Sequence, residues 1–472
     1  MTDEQEGRER VGRFDPAGYD RFEYTGVGVD PAAATITGRY ALAGPAGRLT
    51  FGETFTLAPG DGPLPGSRVA ALHQVARLLW LAAGVSYYKA AAPRTVVVPA
   101  LTAPERDWLE PLYREGLGEF AHANGIDLST RPLFRDAAAG RRPPQPVTGL
   151  NLPRRSLVAV GGGKDSCVSL DVLRATGEEL VAFSVGGHRA ARECAAAAGV
   201  PLVVAGRGLD PALGALNRSG ALNGHVPVTA IVSLVAVAQA VVSGADEVVF
   251  SNERSADAPS LWASGVPVNH QYSKGLAAER RLRAVLAELV PELTYYSLLR
   301  PLSELQIAAV FARLQAYLPV FTSCNAAFRL EERRRVERWC GGCPKCRFVF
   351  LALAPFLSRP LLVSIFGRDL LADDAQVDGY RELIGLAGVK PFECVGEIEE
   401  SQVALALVGV RGQWDDAGPV RRLIAELRSA GLEPGERQVA AAFTPSPEHE
   451  LPPHAVVALD AALRPVQPVA VS

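Results

Sequence analysis

The chain carries little excess charge of either sign. Its 48 lysines and arginines nearly offset 51 aspartates and glutamates, a formal net charge of −3 over 472 residues. So balanced a composition argues against wholesale binding to a nucleic-acid backbone, which needs a basic face, and no nucleic-acid partner is expected. Long apolar runs are missing as well. No stretch reaches the roughly 20 residues that span a bilayer without charges or breakers. The nearest, residues 221–244, is interrupted by His225, Pro227, Thr229, Ser233 and Gln239 and reads as a buried helix preceded by a loop. No membrane partner is expected. No internal repeat is visible. The first residues, Met1 to Glu6, are polar and acidic rather than a targeting segment, which predicts a cytoplasmic location. Cysteine is sparse, seven in all, yet three sit at two-residue gaps. Without a secretory signal, that spacing points to metal binding or catalysis rather than a disulfide framework. What is abundant is apolar sequence: 48% of residues are hydrophobic, enough for the large cores of two or three domains.

Residues 1–150 read as an α+β N-terminal domain. Alternating segments at 35–40 and 49–55 predict antiparallel strands. The spacing of Val69, Leu72, Val75, Leu78, Leu79 and Ala82 predicts a helix over 69–85, and a further helix is expected over 103–123. The Ala-, Gly-, Arg- and Pro-rich run 137–153 is the expected linker. From 151 to 357, strand candidates at 157–160, 180–185, 202–205 and 247–251 alternate with helices. This is the pattern of an α/β fold with a doubly wound parallel sheet. Ligands of such sheets sit at the carboxyl ends of the strands, where Gly161, Gly186, Gly206 and Ser251 all fall. Residues 358–472 read as a small C-terminal domain. A strand is expected at 403–410, an amphipathic helix at 418–429, and a poorly patterned, proline-rich stretch from Thr444.

The most informative run is Gly161-Gly162-Gly163-Lys164-Asp165-Ser166, between an apolar segment and a helix start at Cys167. Strand, glycine turn and helix N-terminus together hold phosphate, because backbone N–H groups approach the anion and the helix dipole favours it. The run is neither a Walker A loop nor a dinucleotide fingerprint. It resembles the PP-loop of the ATP pyrophosphatases, Ser-Gly-Gly-x-Asp-Ser, with Gly161 in place of the first serine. The resemblance implies a domain of the PP-loop/adenine nucleotide alpha hydrolase type. Such a domain cleaves ATP between the α and β phosphates, transfers AMP to a substrate oxygen and releases pyrophosphate. Gly161, Gly162, Gly163, Lys164, Asp165 and Ser166 would surround the pyrophosphate and its Mg²⁺.

Further pieces stand in a particular order: Gly84-Val85-Ser86-Tyr87-Tyr88-Lys89-Ala90, Leu222-Asn223-Gly224-His225-Val226-Pro227, Ser251-Asn252-Glu253-Arg254-Ser255-Ala256, Val268-Asn269-His270-Gln271-Tyr272-Ser273-Lys274 and Cys340-Gly341-Gly342-Cys343-Pro344-Lys345-Cys346. Over residues 20–410 the chain resembles the MurL family of bacterial cell-wall synthesis. The resemblance implies an ATP-dependent epimerase. Its small-molecule substrate would be UDP-MurNAc-L-Ala-L-Glu, whose terminal L-glutamate becomes D-glutamate as ATP goes to AMP and pyrophosphate. The chemistry is coherent. A proton α to a carboxylate is barely acidic, because the enolate would pile charge on charge. An acyl adenylate removes that charge, and each pKa unit gained lowers the proton-transfer cost by about 1.4 kcal/mol. A base then takes the proton and an acid returns it on the other face.

Candidate catalytic residues are His225, Glu253, His270 and Lys274. His225 lies in a Gly/Pro-flanked loop, His270 and Lys274 in a polar stretch, and Glu253 just after a strand end. Tyr87, Tyr88 and Lys89 are read either as contacts to the sugar nucleotide or as core. Cys340, Cys343 and Cys346, with Cys324 upstream, suit a tetrahedral structural Zn²⁺, and the 7-cyano-7-deazaguanine synthases carry a similar set. An acid–base cysteine pair, an iron–sulfur cluster and inert buried thiols are the other readings. Cys194 and Cys394 read as structural. The basic run 331–338, interleaved with glutamates, reads as a solvated helical face or as a diphosphate contact. The rival function is a PP-loop adenylating ligase or thiolase that modifies tRNA or a deazapurine.

Overall fold

The computed structural model describes residues 14–465 apart from 61, 129, 138–143, 260, 264–265, 330–332, 334, 389–390 and 392. Residues 138–143 of the expected linker, part of the basic run and the acidic N-terminus lie outside the described residues. A ten-stranded mixed sheet organises the chain. In chain order its strands are β1 (Arg21–Asp30), β2 (Thr35–Gly44), β3 (Gly47–Thr56), β4 (Thr95–Val98), β5 (Leu133–Asp136), β6 (Arg155–Ala159), β7 (Glu179–Val185), β8 (Leu202–Gly208), β9 (Glu247–Phe250) and β12 (Thr294–Ser297). The small ribbon β10 (Leu261–Ala263) and β11 (Val266–Val268) stands apart. The sheet order is β12-β9-β6-β7-β8-β3-β2-β1-β4-β5.

Five strands, from β12 to β8, run parallel, as the alternating pattern predicts. Strands β1 to β3 form an antiparallel meander, and β4 and β5 add parallel to its outer edge. Successive strand residues face opposite sides of the sheet. Leu157, Phe183 and Val248 enter one core while Val158, Ala182 and Val249 enter the other. Helix Gly66–Ala83 fills the first core. Gly66–Tyr88 is the one stretch among the described residues long and apolar enough to cross a membrane, and most of it is buried in the fold. In the parallel half the chain winds from β6 through β7 to β8, then returns to the far side of β6 as β9. That reversal opens a crevice between the ends of β6 and β9.

Several local expectations are corrected. The helix expected over 103–123 is two, Ala103–Arg114 and Gly118–Asn124, because the chain bends at Gly116, where a Cβ would lie 2.4 Å from the Leu112 carbonyl oxygen. The strand expected at 403–410 is the middle of helix Ile398–Arg411. A short apolar run fits either element by periodicity. Here the ends decide: the Glu400 carboxylate accepts from the Glu397 N–H at 2.8 Å, and Gly412 closes the helix at φ +67°. The proline-rich tail contains helix Pro453–Leu463, with proline in its first turn. Among the described residues no strand follows Ser297.

The two halves of the sheet join where β3 pairs antiparallel with β8. Arg207 Nε meets the fully buried Glu53 carboxylate at 2.5 Å, and Arg207 Nη2 donates to Ser86 Oγ at 2.9 Å. Removing one partner of a buried pair leaves the other charge uncompensated, at about 3–5 kcal/mol. Arg207→Met is therefore expected to lower urea-unfolding stability by about 3 kcal/mol, and the double variant Arg207→Met/Glu53→Leu to recover most of it. Equal stability of Arg207→Met and the parent would remove this pair from the joint.

Candidate functional site

The glycine loop follows β6 and opens helix Lys164–Arg174. Gly162 sits at φ +94°, and a Cβ there would lie 2.5 Å from Ala190 Cβ and 2.7 Å from the Ala190 carbonyl carbon. Only glycine allows this approach to the start of helix Arg189–Ala198. The Gly162 carbonyl accepts from Thr322 N–H at 2.8 Å, which ties the loop to the segment before Cys324. Gly161 is different: no atom stands within 4 Å of its notional Cβ, so the serine of the PP-loop pattern would fit. Ser166 Oγ donates to the Gly163 carbonyl at 3.0 Å and accepts from Gly162 N–H at 3.4 Å. No side chain caps this helix, which leaves its first-turn amides for an anion.

The loop forms one wall of a cleft of about 550 Å³. Gly161, Gly163, Asp165 and Ser166 line it, opposite Ser251, Asn252, Glu253 and Lys274. Gly162 lies beneath this wall. Lys164 turns away: it is buried, its Nζ between the carboxylates of Asp165 and Glu304. Burial opposes the Lys164 charge, but those carboxylates raise its pKa. Gly206 does not reach the cleft either, because β8 runs on to pair Gly206 with Thr56.

A second group of polar side chains adjoins the cleft through Lys274. Lys274 Nζ donates to Cys394 Sγ at 3.2 Å. Cys394 hydrogen-bonds His270, whose Nδ1 meets the Glu119 carboxylate. The His225 ring lies 4.2 Å from that of His270, centroid to centroid. Local structure explains the assembly. Asn223 Oδ1 accepts from Lys89 Nζ, and the Asn223 carbonyl accepts from Asn124 Nδ2 at 3.0 Å. The His225 loop is thereby laid on the short helix that carries Glu119. His270 sits in a turn in which Asn269 Oδ1 accepts from Gln271 N–H at 2.7 Å. Atoms of Glu119, His225 and His270 able to bind a metal lie within 4.8 Å of one another. The Glu119–His270 contact is a direct one, so the carboxylate and the imidazole share a proton.

The two imidazoles are driven apart in pKa. Burial, then the neighbouring His270, pushes His225 down to about 4. Burial also works against His270, yet hydrogen bonds to Cys394 and Glu119 lift it to about 9. Burial opposes ionisation of the Cys394 thiol, but Lys274, Lys345 and His270 bring it down to about 6. These surroundings favour the neutral form of His225, the charged form of His270 and the ionised form of Cys394.

Of the four candidate catalytic residues, Glu253 and Lys274 line the cleft, while His225 and His270 stand together behind Lys274. Sequence reasoning missed Glu119, Arg300 and Cys394. Arg300 is 1% exposed. Its guanidinium donates to the carbonyl oxygens of Glu253 (2.8 Å) and Lys274 and pairs with Glu279 at 3.0 Å. Tyr87 and Tyr88 are core residues. Cys394, read as structural, is partly exposed and belongs to the polar group.

The four sulfurs of Cys324, Cys340, Cys343 and Cys346 converge, with separations of 3.9, 3.7 and 3.5 Å for the pairs 324–343, 340–346 and 343–346. A tetrahedral site with Zn–S of about 2.3 Å has S···S edges of about 3.8 Å, so the set fits zinc. Backbone N–H groups of Cys340 and Gly342 donate to Cys324 and Cys340 sulfurs at 3.3 and 3.5 Å. In the basic run, Glu331, Glu332 and Arg334 lie outside the described residues. Arg338 pairs with Glu193 at 2.8 Å.

A glycine loop at a helix N-terminus, on a cleft at a strand reversal with a group of titratable side chains beside it, is the arrangement of an α/β enzyme. The chain belongs to the MurL family: the model of the MurL N-terminal domain matches residues 13–298 and that of the MurL C-terminal domain residues 320–438. It is 48% identical over 437 residues to a protein of Micromonospora sp., covering 92% of this chain and 96% of the relative. It is 48% identical over 429 residues to one of Salinispora tropica, with 90% and 92% coverage, and 42% identical over 447 residues to one of Xanthomonas oryzae pv. oryzae, with 93% and 97% coverage. All three relatives are named UDP-N-acetyl-alpha-D-muramoyl-L-alanyl-L-glutamate epimerase. The chain is accordingly an enzyme of the epimerase class.

The folded protein holds the His270 proton more tightly than the unfolded chain does. Its contribution to stability is complete below the ordinary histidine value near 6.5 and is lost as pH rises through about 9. NMR titration of the ring protons is expected to show His270 titrating near 9, and Glu119→Gln to lower that midpoint. An unchanged midpoint in Glu119→Gln would separate the two residues.

Proposed function

We propose that the enzyme inverts the terminal L-glutamate of UDP-MurNAc-L-Ala-L-Glu, with ATP as co-substrate. The observation that carries the reading is a pair of histidine rings 4.2 Å apart, one held by Glu119, beside the Lys274 that lines the glycine-loop cleft. Environments that push two titratable groups apart assign acid and base. The neutral His225 accepts the α-proton and the imidazolium of His270 supplies one. The Lys274 ammonium faces the developing enolate charge. The Gly161–Ser166 loop and the helix behind it hold the phosphates, so that a carboxylate oxygen of the substrate attacks the α-phosphorus and pyrophosphate leaves. The adenylate removes the charge that keeps the α-proton unreactive.

Two metals belong to this reading. Asp165 and Glu253 both line the cleft with hard oxygen donors and would hold Mg²⁺, which neutralises phosphate charge when bound. The four cysteines would hold a structural Zn²⁺ that pins the segment of Thr322 against the loop.

Incubation with ATP, Mg²⁺ and UDP-MurNAc-L-Ala-L-Glu in deuterated water is expected to release AMP and to place deuterium at the glutamate α-carbon with inversion. Asp165→Asn is expected to lower the rate about 100-fold. Inversion that proceeds at full rate without ATP would overturn the proposal. By metal analysis, the parent protein is expected to carry one zinc per chain and Cys343→Ser none. A parent protein purified without metal would refute the zinc assignment.

A further inference from the structure

Cys394 is not required by a two-histidine proton relay, yet two cationic side chains, Lys274 and His270, converge on its sulfur. Lys274 Nζ stands 3.2 Å from its sulfur, and His270 bonds to it on another side. His270 is in turn held through Nδ1 by Glu119. A sulfur, an imidazole and a carboxylate in series form the arrangement that activates a nucleophile: the imidazolium pairs with the thiolate, and the carboxylate fixes the ring. Lys274 also lines the phosphate cleft, so the sulfur lies one side chain away from where an adenylate would form.

We propose that Cys394 is the acyl acceptor of the reaction: its thiolate attacks the glutamyl carbonyl of the acyl adenylate and forms a thioester. This rests on the adenylation reading above. The new carbon–sulfur bond replaces the carbon–oxygen bond to phosphate, and AMP leaves with that oxygen and the electron pair. With the sulfur as thiolate beside the Lys274 ammonium, no proton moves in this step. The α-proton of the thioester then passes to the base, and a proton returns on the other face. Water finally cleaves the thioester to the inverted carboxylate and the thiolate, and its two protons pass to solvent. The sum is ATP plus water to AMP and pyrophosphate, with inversion and no net oxidation.

The geometry favours a nucleophile over a base at this position. A base gains from a high proton affinity, which an adjacent ammonium and imidazolium suppress. A nucleophile gains from being ionised at working pH, which the same neighbours secure. A thioester also keeps the activated carbonyl tethered in the group after AMP has gone.

The test is acid-quenched intact mass spectrometry of the full-length protein during turnover of ATP and UDP-MurNAc-L-Ala-L-Glu. An adduct of substrate minus water, located on the Cys394 peptide and released by hydroxylamine, is expected. Cys394→Ala should lose the adduct, and its steady-state AMP release should fall about 1000-fold. It should still melt as the parent does and give one burst of pyrophosphate. An adduct-free parent caught in full turnover would overturn the proposal, as would Cys394→Ala inverting substrate at the parental rate. Failure of the parent to release any AMP would instead strike the adenylation reading, so the two failures are distinct.

Discussion

The buried guanidinium of Arg300 is the interaction on which the site depends. It is charged, almost wholly removed from water, and offset by Glu279. An isolated charge at that depth would be untenable, so the arginine is held only because its fork finds partners on every side. Two of those partners are main-chain oxygens, of Glu253 and of Lys274. The end of β9 and the turn after β11, far apart in sequence, are thereby fastened to one planar group. Everything the cleft presents opposite the glycine loop follows from that attachment. Lys274 in turn reaches Cys394, and through it the His270–Glu119 pair.

The loop side is fixed by a different constraint. Gly162 allows a close approach of backbone to backbone that no other residue permits, and Thr322 N–H locks its carbonyl. The wall that would face phosphate is therefore steric and hydrogen-bonded, while the opposite wall is electrostatic. Between them lies a cleft at the strand reversal, as open parallel sheets place it. The cysteine cluster sits just beyond Thr322, so a metal there would brace the same contact from behind.

The parallel strands and the glycine loop were legible in the sequence because short apolar runs, glycine and a helix start leave a local signature. The pieces around His225, Glu253, His270 and Lys274 were legible through family resemblance. Glu119, Arg300 and Cys394 were not, because each acts through partners remote in the chain: 151 residues separate Glu119 from His270 and 120 separate Lys274 from Cys394. A glutamate on a short helix, an arginine after a strand and a lone cysteine carry no spacing to read. Lys164 is placed by a partner remote in the chain as well. Its place in the loop motif suggested phosphate, but the first helical turn aims it at Glu304. The misassigned strand at 403–410 shows the same limit, since its caps, not its apolar run, decide the element.

The proposed reaction requires the glycine-loop cleft and the histidine–cysteine group to act in turn on the same carboxylate. Substrate whose glutamyl α-carboxylate carries ¹⁸O in both positions tests it directly. Attack of that carboxylate on ATP followed by acyl transfer moves one labelled oxygen into the phosphate of AMP. Mass spectrometry of the released AMP should show that single ¹⁸O, with the other retained in the inverted product. AMP free of label, alongside product that keeps both labelled oxygens, would contradict the account.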